Sequence, residues 1–358
     1  MKYLNSEKLN RNLKKNAERD LEEKKLFGVS YWVMQAGTTV SKHCFGTADG
    51  ITPLQNDHLF RLASMTKPIT ALATLILVGK GRLSLSARAD LYVPSLAGIT
   101  LAKEKLHPQT PITVRHLLSH TSGLKICAVS AKDRETAAGT IARSVRAGLE
   151  FEPGTQQAYN SYVAFDVLGE IIAAVSGTTL PDFLEREIFH PLGMNDTCFS
   201  PSEEQWGRMV ALHDRIDGEN CIGKTVSGCV FEGFPHTHPL AGGGLVSTLE
   251  DYGKFAKCLL ADGAGLVSGD LFSQLRTPQV SESVMPGSER WGLGVRVITA
   301  EDAALPLGSF GWSGAYGTHF WVDPENQIIA IMMKNSRVDG GADNQSARNF
   351  EHAVYDAI

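Results

Sequence analysis

Ser64 and Lys67 stand three residues apart in the stretch Phe60-Arg61-Leu62-Ala63-Ser64-Met65-Thr66-Lys67-Pro68, and an apolar run with Ala71, Leu72, Leu75 and Ile76 follows. On a helix, positions i and i+3 share a face, so the lysine amine would point at the serine hydroxyl. An alcohol is too weakly acidic to attack a carbonyl unaided and needs such a partner. If Ser64 lies at or just inside a helix N-terminus, unpaired N–H groups and the helix dipole favour the charge that develops during attack. Pro68 falls in or beside the first turn, where a missing N–H costs least. Ser122-Gly123-Leu124-Lys125 matches the same spacing in a turn-like context. The pattern alone therefore leaves Ser64 open as either a nucleophile or an N-cap.

A phenol is the other chemical group with a defined position. Tyr159 ends the turn-rich loop that begins at Glu152-Pro153-Gly154, just before a helix whose apolar face is Val163, Ala164, Val167, Leu168, Ile171, Ile172 and Val175. It reads as a packing residue or as a fixed proton carrier. Tyr162 is the competing candidate, and its place in the helical period favours packing. His116 and His120 have metal-ligand spacing, but the adjacent glutamate of a zinc-protease motif is missing, so they read as structural. His236-Thr237-His238 lies between prolines with no acidic or cysteine ligand nearby in sequence. Gly242-Gly243-Gly244 lacks the Gly-Lys-Ser/Thr ending of a phosphate loop and reads as close backbone packing beside a cleft. Neither a metal nor an organic cofactor is called for.

The elements that must hold these groups follow from the patterning. Residues 4–26 form an amphipathic helix, expected to dock on the protein's own sheet. Residues 29–36 and 40–46 read as a hairpin joined by Gly37-Thr38-Thr39, and the Ser64 helix runs to Gly79-Lys80-Gly81. A mainly helical stretch follows, including a short helix capped by Thr113. Ser247 with Glu250 makes a capping box for a later helix. Strand-like runs cover 291–298, 318–323 and 328–334, and a closing helix covers 344–358. The expected fold is α+β: an antiparallel sheet flanked by N- and C-terminal helices, interrupted by an all-α insertion. The boundaries are 1–83 plus 240–358 for the discontinuous sheet domain and 84–239 for the helical domain, with the active site in the cleft between them.

The 358 residues suffice for a large core, with 43% hydrophobic and 20% charged residues. A formal charge of −5 gives no reason to expect nucleic acid or an anionic membrane as partner. No apolar run has spanning length and the charged N-terminus has no signal core, so a cytoplasmic location is expected. Six scattered cysteines (Cys44, Cys127, Cys198, Cys221, Cys229, Cys258) read as free thiols. Oligomeric state is left open.

Taken in order, Ser64-Met65-Thr66-Lys67, Pro153-Gly154-Thr155 with Tyr159, Gly242-Gly243-Gly244-Leu245-Val246-Ser247-Thr248 and Trp312-Ser313-Gly314 resemble the motifs of the serine β-lactamase-like superfamily. The likeness is to the class C β-lactamase, D-Ala-D-Ala carboxypeptidase and family VIII esterase branch, with penicillin-binding-protein-like features. It extends over nearly the whole chain, including Leu117 to Leu124 and His190 to Met194. The resemblance implies that Ser64 is the nucleophile, with Lys67 and Tyr159 as general base and acid. It implies an oxyanion hole from the backbone N–H groups of Ser64 and Ala315, and substrate contacts from Trp312, Ser313, Gly314 and Ser161.

Two departures direct the substrate expectation. Ser161 stands where the family's peptidases carry asparagine, and Trp312 stands where they carry lysine or histidine. A substrate carboxylate thereby loses its expected cation, as in the esterase-type members. The expected function is a serine hydrolase of short-chain carboxylic esters working through an acyl-enzyme. The alternatives are a β-lactamase, D-amino-acid peptidase or acyltransferase of the same superfamily, and an inactive ligand-binding protein. The partner is in each case a small ester or amide.

Overall fold

The computed structural model describes residues 2–127, 136–223 and 238–358. Its largest sheet has seven antiparallel strands, in the spatial order Thr38–Gly46, Gly28–Gln35, Ile328–Met333, His319–Asp323, Phe310–Ser313, Arg296–Ile298 and Glu289–Trp291. The first and last parts of the chain thus share one sheet, as the α+β expectation requires.

Turn chemistry sets the strand ends. Ala36 and Gly37 have φ of 48° and 78°, a two-residue turn whose twist suits a hairpin. Thr38 and Thr39, expected in the connection, instead pair with Gln35 and Met34. The run 291–298 is likewise two strands, because Gly294 turns the chain at φ 71°. A Cβ on Gly294 would stand 2.7 Å from that of Ala71, so this turn packs directly on the helix carrying Lys67.

Each sheet face is covered. The helix Ser6–Glu22, capped by Asn5, and the closing helix Gln345–Tyr355, capped by Asn344, lie on one face through Leu9, Leu13, Ala17, Phe350 and Val354 against Tyr31 and Trp321. The opposite face packs on the helices Thr66–Gly79 and Leu249–Leu260, and the same core continues into Val163–Ser176 through Leu72, Ile76, Phe165, Leu168, Tyr252 and Phe320. Burying each such side chain contributes about 1.5–3 kcal/mol before entropy is counted. The mainly helical stretch also contains a hairpin, His213–Ile216 with Glu219–Ile222, which the sequence reading did not include.

The Ser247–Glu250 capping box does not form. Ser247 belongs to the strand Val246–Thr248, which pairs with Leu59–Arg61, and its hydroxyl bonds Thr197 at 2.7 Å. Strand pairing moves the helix start one residue on, so that Thr248 becomes the cap and accepts from the Asp251 N–H at 3.1 Å. Cys44, Cys127, Cys198, Cys221 and Cys258 are free thiols. Cys229, His236 and Thr237 lie outside the described residues. Among the described residues no single helix is long and apolar enough to cross a membrane.

Candidate active site

Ser64 sits in a short 3₁₀ turn, Ala63–Met65, that leads into the Thr66–Gly79 helix. Ala63 has φ 47°, a left-handed conformation that costs a residue with a Cβ about 1–3 kcal/mol. Buried bonds on all sides hold the turn. Leu62 N–H donates to the Leu245 carbonyl at 2.9 Å, Thr318 Oγ1 to the Leu62 carbonyl at 2.9 Å and Tyr252 Oη to the Met65 carbonyl at 3.0 Å. Leu245 N–H reaches Thr66 Oγ1 at 3.2 Å, so the chain leaving the glycine run is fastened to the same turn.

Lys67 is fully buried. Its Nζ lies 3.1 Å from Ser64 Oγ and donates to the carbonyls of Ser161 and Gly242, both at 2.7 Å. Burial lowers its pKa below the ordinary lysine value, and the neighbouring Tyr159 opposes that shift only in part. The two carbonyls and the Ser64 hydroxyl thus surround the amine with three hydrogen-bond partners. The glycine at 242 has a physical reason: a Cβ there would stand 3.1 Å from both Phe165 Cβ and the Ser161 carbonyl oxygen, and 3.3 Å from Lys67 Nζ.

Tyr159 Oη donates to Ser64 Oγ at 2.7 Å and accepts from Trp312 Nε1 at 3.3 Å. Its ring is stacked on Trp291 at 5.7 Å and 17°, with Trp312 at 5.3 Å and His120 at 4.8 Å. The loop beneath it is pinned by Asn160, whose N–H donates to His120 Nδ1 at 3.1 Å and whose Nδ2 donates to the Leu124 carbonyl at 2.7 Å. The phenol is nevertheless 36% exposed, so a substrate can reach it.

The structure thus brings Ser64, Lys67 and Tyr159 together and sorts the other candidates. Ser161 meets Lys67 through its carbonyl. Gly314 cannot carry a side chain, since a Cβ would overlap Thr318 Oγ1 and the Leu62 carbonyl. Ser64 and Ala315 border one cavity of about 550 Å³, together with Tyr162, Leu240, Trp312 and Ala342. Ser313 borders the same cavity, while its hydroxyl is hydrogen-bonded to buried His319 Nδ1 at 2.7 Å, because successive strand side chains point to opposite faces. Tyr162 sits at the helix N-cap position and donates to the Cys127 carbonyl at 2.9 Å. The rival Ser122–Lys125 pair diverges, with the serine buried and the lysine exposed.

The histidines have protein partners. His116 caps its own short helix at Thr113, and His120 supports the Tyr159 loop. His238 does have an acidic neighbour, Asp166 at 3.2 Å, supplied by the fold from 72 positions away in the numbering. Sequence reasoning missed Trp291 and Phe165 as parts of the site, and read His120 as structural without placing it beneath Tyr159. The only sequence signal of the first two is being aromatic, and the convergence of all three is a product of topology.

Comparison with known proteins agrees with this fold. The Beta-lactamase family model matches residues 13–353. Esterase EstB of Burkholderia gladioli is 28% identical, covering 90% of this chain and 89% of its own. Lovastatin esterase of Penicillium rubens is 28% identical, covering 85% and 86% respectively. The solved structure of EstCE1, described as a hydrolase with promiscuous acyltransferase activity, superposes with a TM-score of 0.86 at 22% identity over 98% of this chain and 99% of that one. With a family match spanning nearly its whole length and a fold that agrees with it, the chain belongs to the β-lactamase family and is a serine hydrolase.

Proposed function

We propose that the protein cleaves short-chain carboxylic esters through an acyl-enzyme on Ser64. The observation that carries this reading is the junction at Ser64 Oγ, with Lys67 Nζ at 3.1 Å and Tyr159 Oη at 2.7 Å. Lys67, kept toward its neutral form by burial, takes the hydroxyl proton as Ser64 attacks the ester carbonyl. The backbone N–H groups of Ser64 and Ala315 hold the resulting oxyanion. Collapse breaks the bond to the alkoxy group, and Tyr159, on the exposed side, gives it a proton. With Ser64 acylated, Tyr159 is reprotonated directly from Lys67, its hydrogen-bonded neighbour, or from solvent. A water then attacks the acyl carbonyl, losing its proton to the same relay, and frees Ser64.

The substrate class rests on what lines the cleft. Trp312, Leu240, Tyr162 and Ala342 present apolar surface, and no lysine or arginine is among the described residues that border the cavity. A carboxylate on the substrate would lose its water without gaining a cation, so uncharged esters are favoured over penicillins and D-amino acid peptides. The apolar lining also favours acyl transfer to an alcohol wherever that alcohol displaces water from the cleft. An inert binding pocket has no need of an amine, an alcohol and a phenol in mutual contact.

Turnover of p-nitrophenyl acetate and butyrate, measured beside nitrocefin, tests the reading. The parent should turn over the esters far faster than nitrocefin, and Ser64→Ala should abolish ester turnover. Equal turnover by the alanine variant would remove Ser64 from the mechanism, and nitrocefin hydrolysis matching the esters would move the substrate class to lactams.

A further inference from the structure

Behind the strand that carries Trp312 lies a buried chain of polar groups that the chemistry above does not use. Ser313 Oγ and His319 Nδ1 are 2.7 Å apart, and His319 Nε2 is 3.0 Å from Glu351 Oε1 on the closing helix. Arg296 then joins Glu351 at 3.5 Å to Glu289 at 3.1 Å. His319 is fully buried, with Ser313 3% and Glu351 7% exposed. Burial opposes ionisation of Glu351, but the His319 hydrogen bond and the Arg296 charge outweigh it and hold the carboxyl below its usual range. A carboxylate only accepts, so His319 Nε2 carries a proton and donates it to Glu351, while Nδ1 is hydrogen-bonded to the Ser313 hydroxyl.

These residues sit on the segments that grip Tyr159. Ser313 is the strand neighbour of Trp312, whose indole N–H reaches the Tyr159 oxygen. Glu289 shares a three-residue strand with Trp291, which stacks on the Tyr159 ring. Arg296 pairs with Trp291 across the hairpin and lies 5.9 Å from the Trp312 ring centroid. A three-residue and a four-residue strand are weak restraints on the two indoles, and the buried Arg296–Glu351 pair cannot separate without leaving a charge unpaired.

We propose that Glu351, acting through His319–Ser313 and through Arg296, is a positioning residue for the reaction: it fixes Trp312 so that the indole N–H stays on the Tyr159 oxygen. The closing helix, on the far face of the sheet from the cleft, thereby sets the orientation of the phenol that serves Ser64. This rests on the ester-hydrolase reading above, and the test separates the two.

The experiment is a double-mutant cycle with Glu351→Ala, Trp312→Phe and the double variant, each assayed for p-nitrophenyl butyrate turnover. Near-UV circular dichroism reports the indoles, and thermal unfolding shows whether each variant is folded at the assay temperature. Glu351→Ala should lower kcat at least tenfold with KM within about threefold, and should weaken the near-UV signal of the Trp291–Trp312 pair. In the Trp312→Phe background the same change should lower kcat less than threefold. Glu351→Gln retains an acceptor for His319 and should recover part of the loss. Independent, multiplying losses in the double variant, or a folded Glu351→Ala with parental kcat, would overturn the proposal. If Glu351→Ala is unfolded at the assay temperature, Glu351→Gln takes its place in the cycle: its kcat should fall about threefold or more in the parent background and not at all in the Trp312→Phe background, and parental kcat or a multiplying loss would overturn the proposal. A parent that turns over no ester would count against the ester reading, whereas an active parent with a multiplying cycle would count against this inference alone.

Discussion

The Tyr159 hydroxyl lies 2.7 Å from the Ser64 hydroxyl, although 95 positions separate the two residues. Loop and helix fix that distance from opposite sides. Asn160 ties the tyrosine loop to His120 and Leu124, while Leu245, Thr318 and Tyr252 hold the serine turn. Removing the phenolic oxygen should therefore cost chemistry and leave the scaffold in place. Tyr159→Phe is expected to lower kcat for p-nitrophenyl butyrate by about 10²–10⁴, the range for a positioned proton carrier. Tyr162→Phe should lose its bond to the Cys127 carbonyl, about 1 kcal/mol of stability, and keep most of its turnover. Steady-state rates and unfolding midpoints of both variants check this, and an inactive Tyr162→Phe beside an active Tyr159→Phe would reverse the assignment.

Lys67 imposes a pH dependence. Burial depresses its pKa, so the neutral amine that accepts the Ser64 proton becomes available below the ordinary lysine value of about 10.4. The rate should rise with pH as this proton is lost, giving an acid limb in kcat/KM whose midpoint lies below that value. The profile belongs to the coupled amine and phenol rather than to either alone. Lys67→Ala should lose the limb together with most of the turnover, by about 10²–10⁴. A limb unchanged in the residual activity of that variant would assign it to another group.

The sequence carried more of the site than of the strand boundaries. Ser64 and Lys67 were legible because both lie on one local turn of chain, and a three-residue spacing fixes their relation. The glycine run was legible as close packing, and a Cβ on Gly242 would meet Phe165 and the Ser161 carbonyl at 3.1 Å, tighter than an ordinary contact. For Ser313 the motif placed the residue at the cavity but not its hydroxyl, since strand alternation decides which face each side chain takes. Trp291 was not visible and His120 read only as structural, since only the fold brings the edge hairpin and this histidine to Tyr159. The split of 291–298 into two strands and the shift of the helix cap from Ser247 to Thr248 have one cause. Tertiary contacts with the Lys67 helix and with the Leu59–Arg61 strand outweigh local pattern.

Gly242 offers a graded test of how Lys67 is held. Its carbonyl takes one amine hydrogen at 2.7 Å, and an added methyl would press on Phe165 and the Ser161 carbonyl at 3.1 Å. Gly242→Ala should fold, at a cost of about 1–3 kcal/mol for overpacking, and should slow acylation more than it changes KM. Single-turnover measurement with a chromogenic ester separates the two effects. Parental acylation in that variant would show that the carbonyl contact is dispensable.

A buried pair beside the cavity rim should make stability sensitive to acid. Lys334 and Asp339 are 2.5 Å apart, and Gly341 and Ala342, two and three positions further on, border the cavity. Burial opposes ionisation of Asp339, but Lys334 outweighs it and places the folded pKa below the usual value of about 3.9. The contribution of this carboxylate is therefore complete above that pH and lost as pH falls through the depressed value. Asp339→Asn leaves a buried ammonium unpaired and should cost about 3–5 kcal/mol at pH 7. It should also flatten the decline of stability below pH 4. Denaturant unfolding across pH measures both, and a variant as stable as the parent at neutral pH would contradict the pairing.

The central claim is a covalent bond between substrate and one hydroxyl, and intact-protein mass spectrometry reads it directly. Protein quenched in acid within the first turnovers of a slow ester should gain the mass of one acyl group, mapped by peptide sequencing to Ser64, and Ser64→Ala should gain none. An acyl group found on another residue, or an equal mass gain in the alanine variant, would contradict the account.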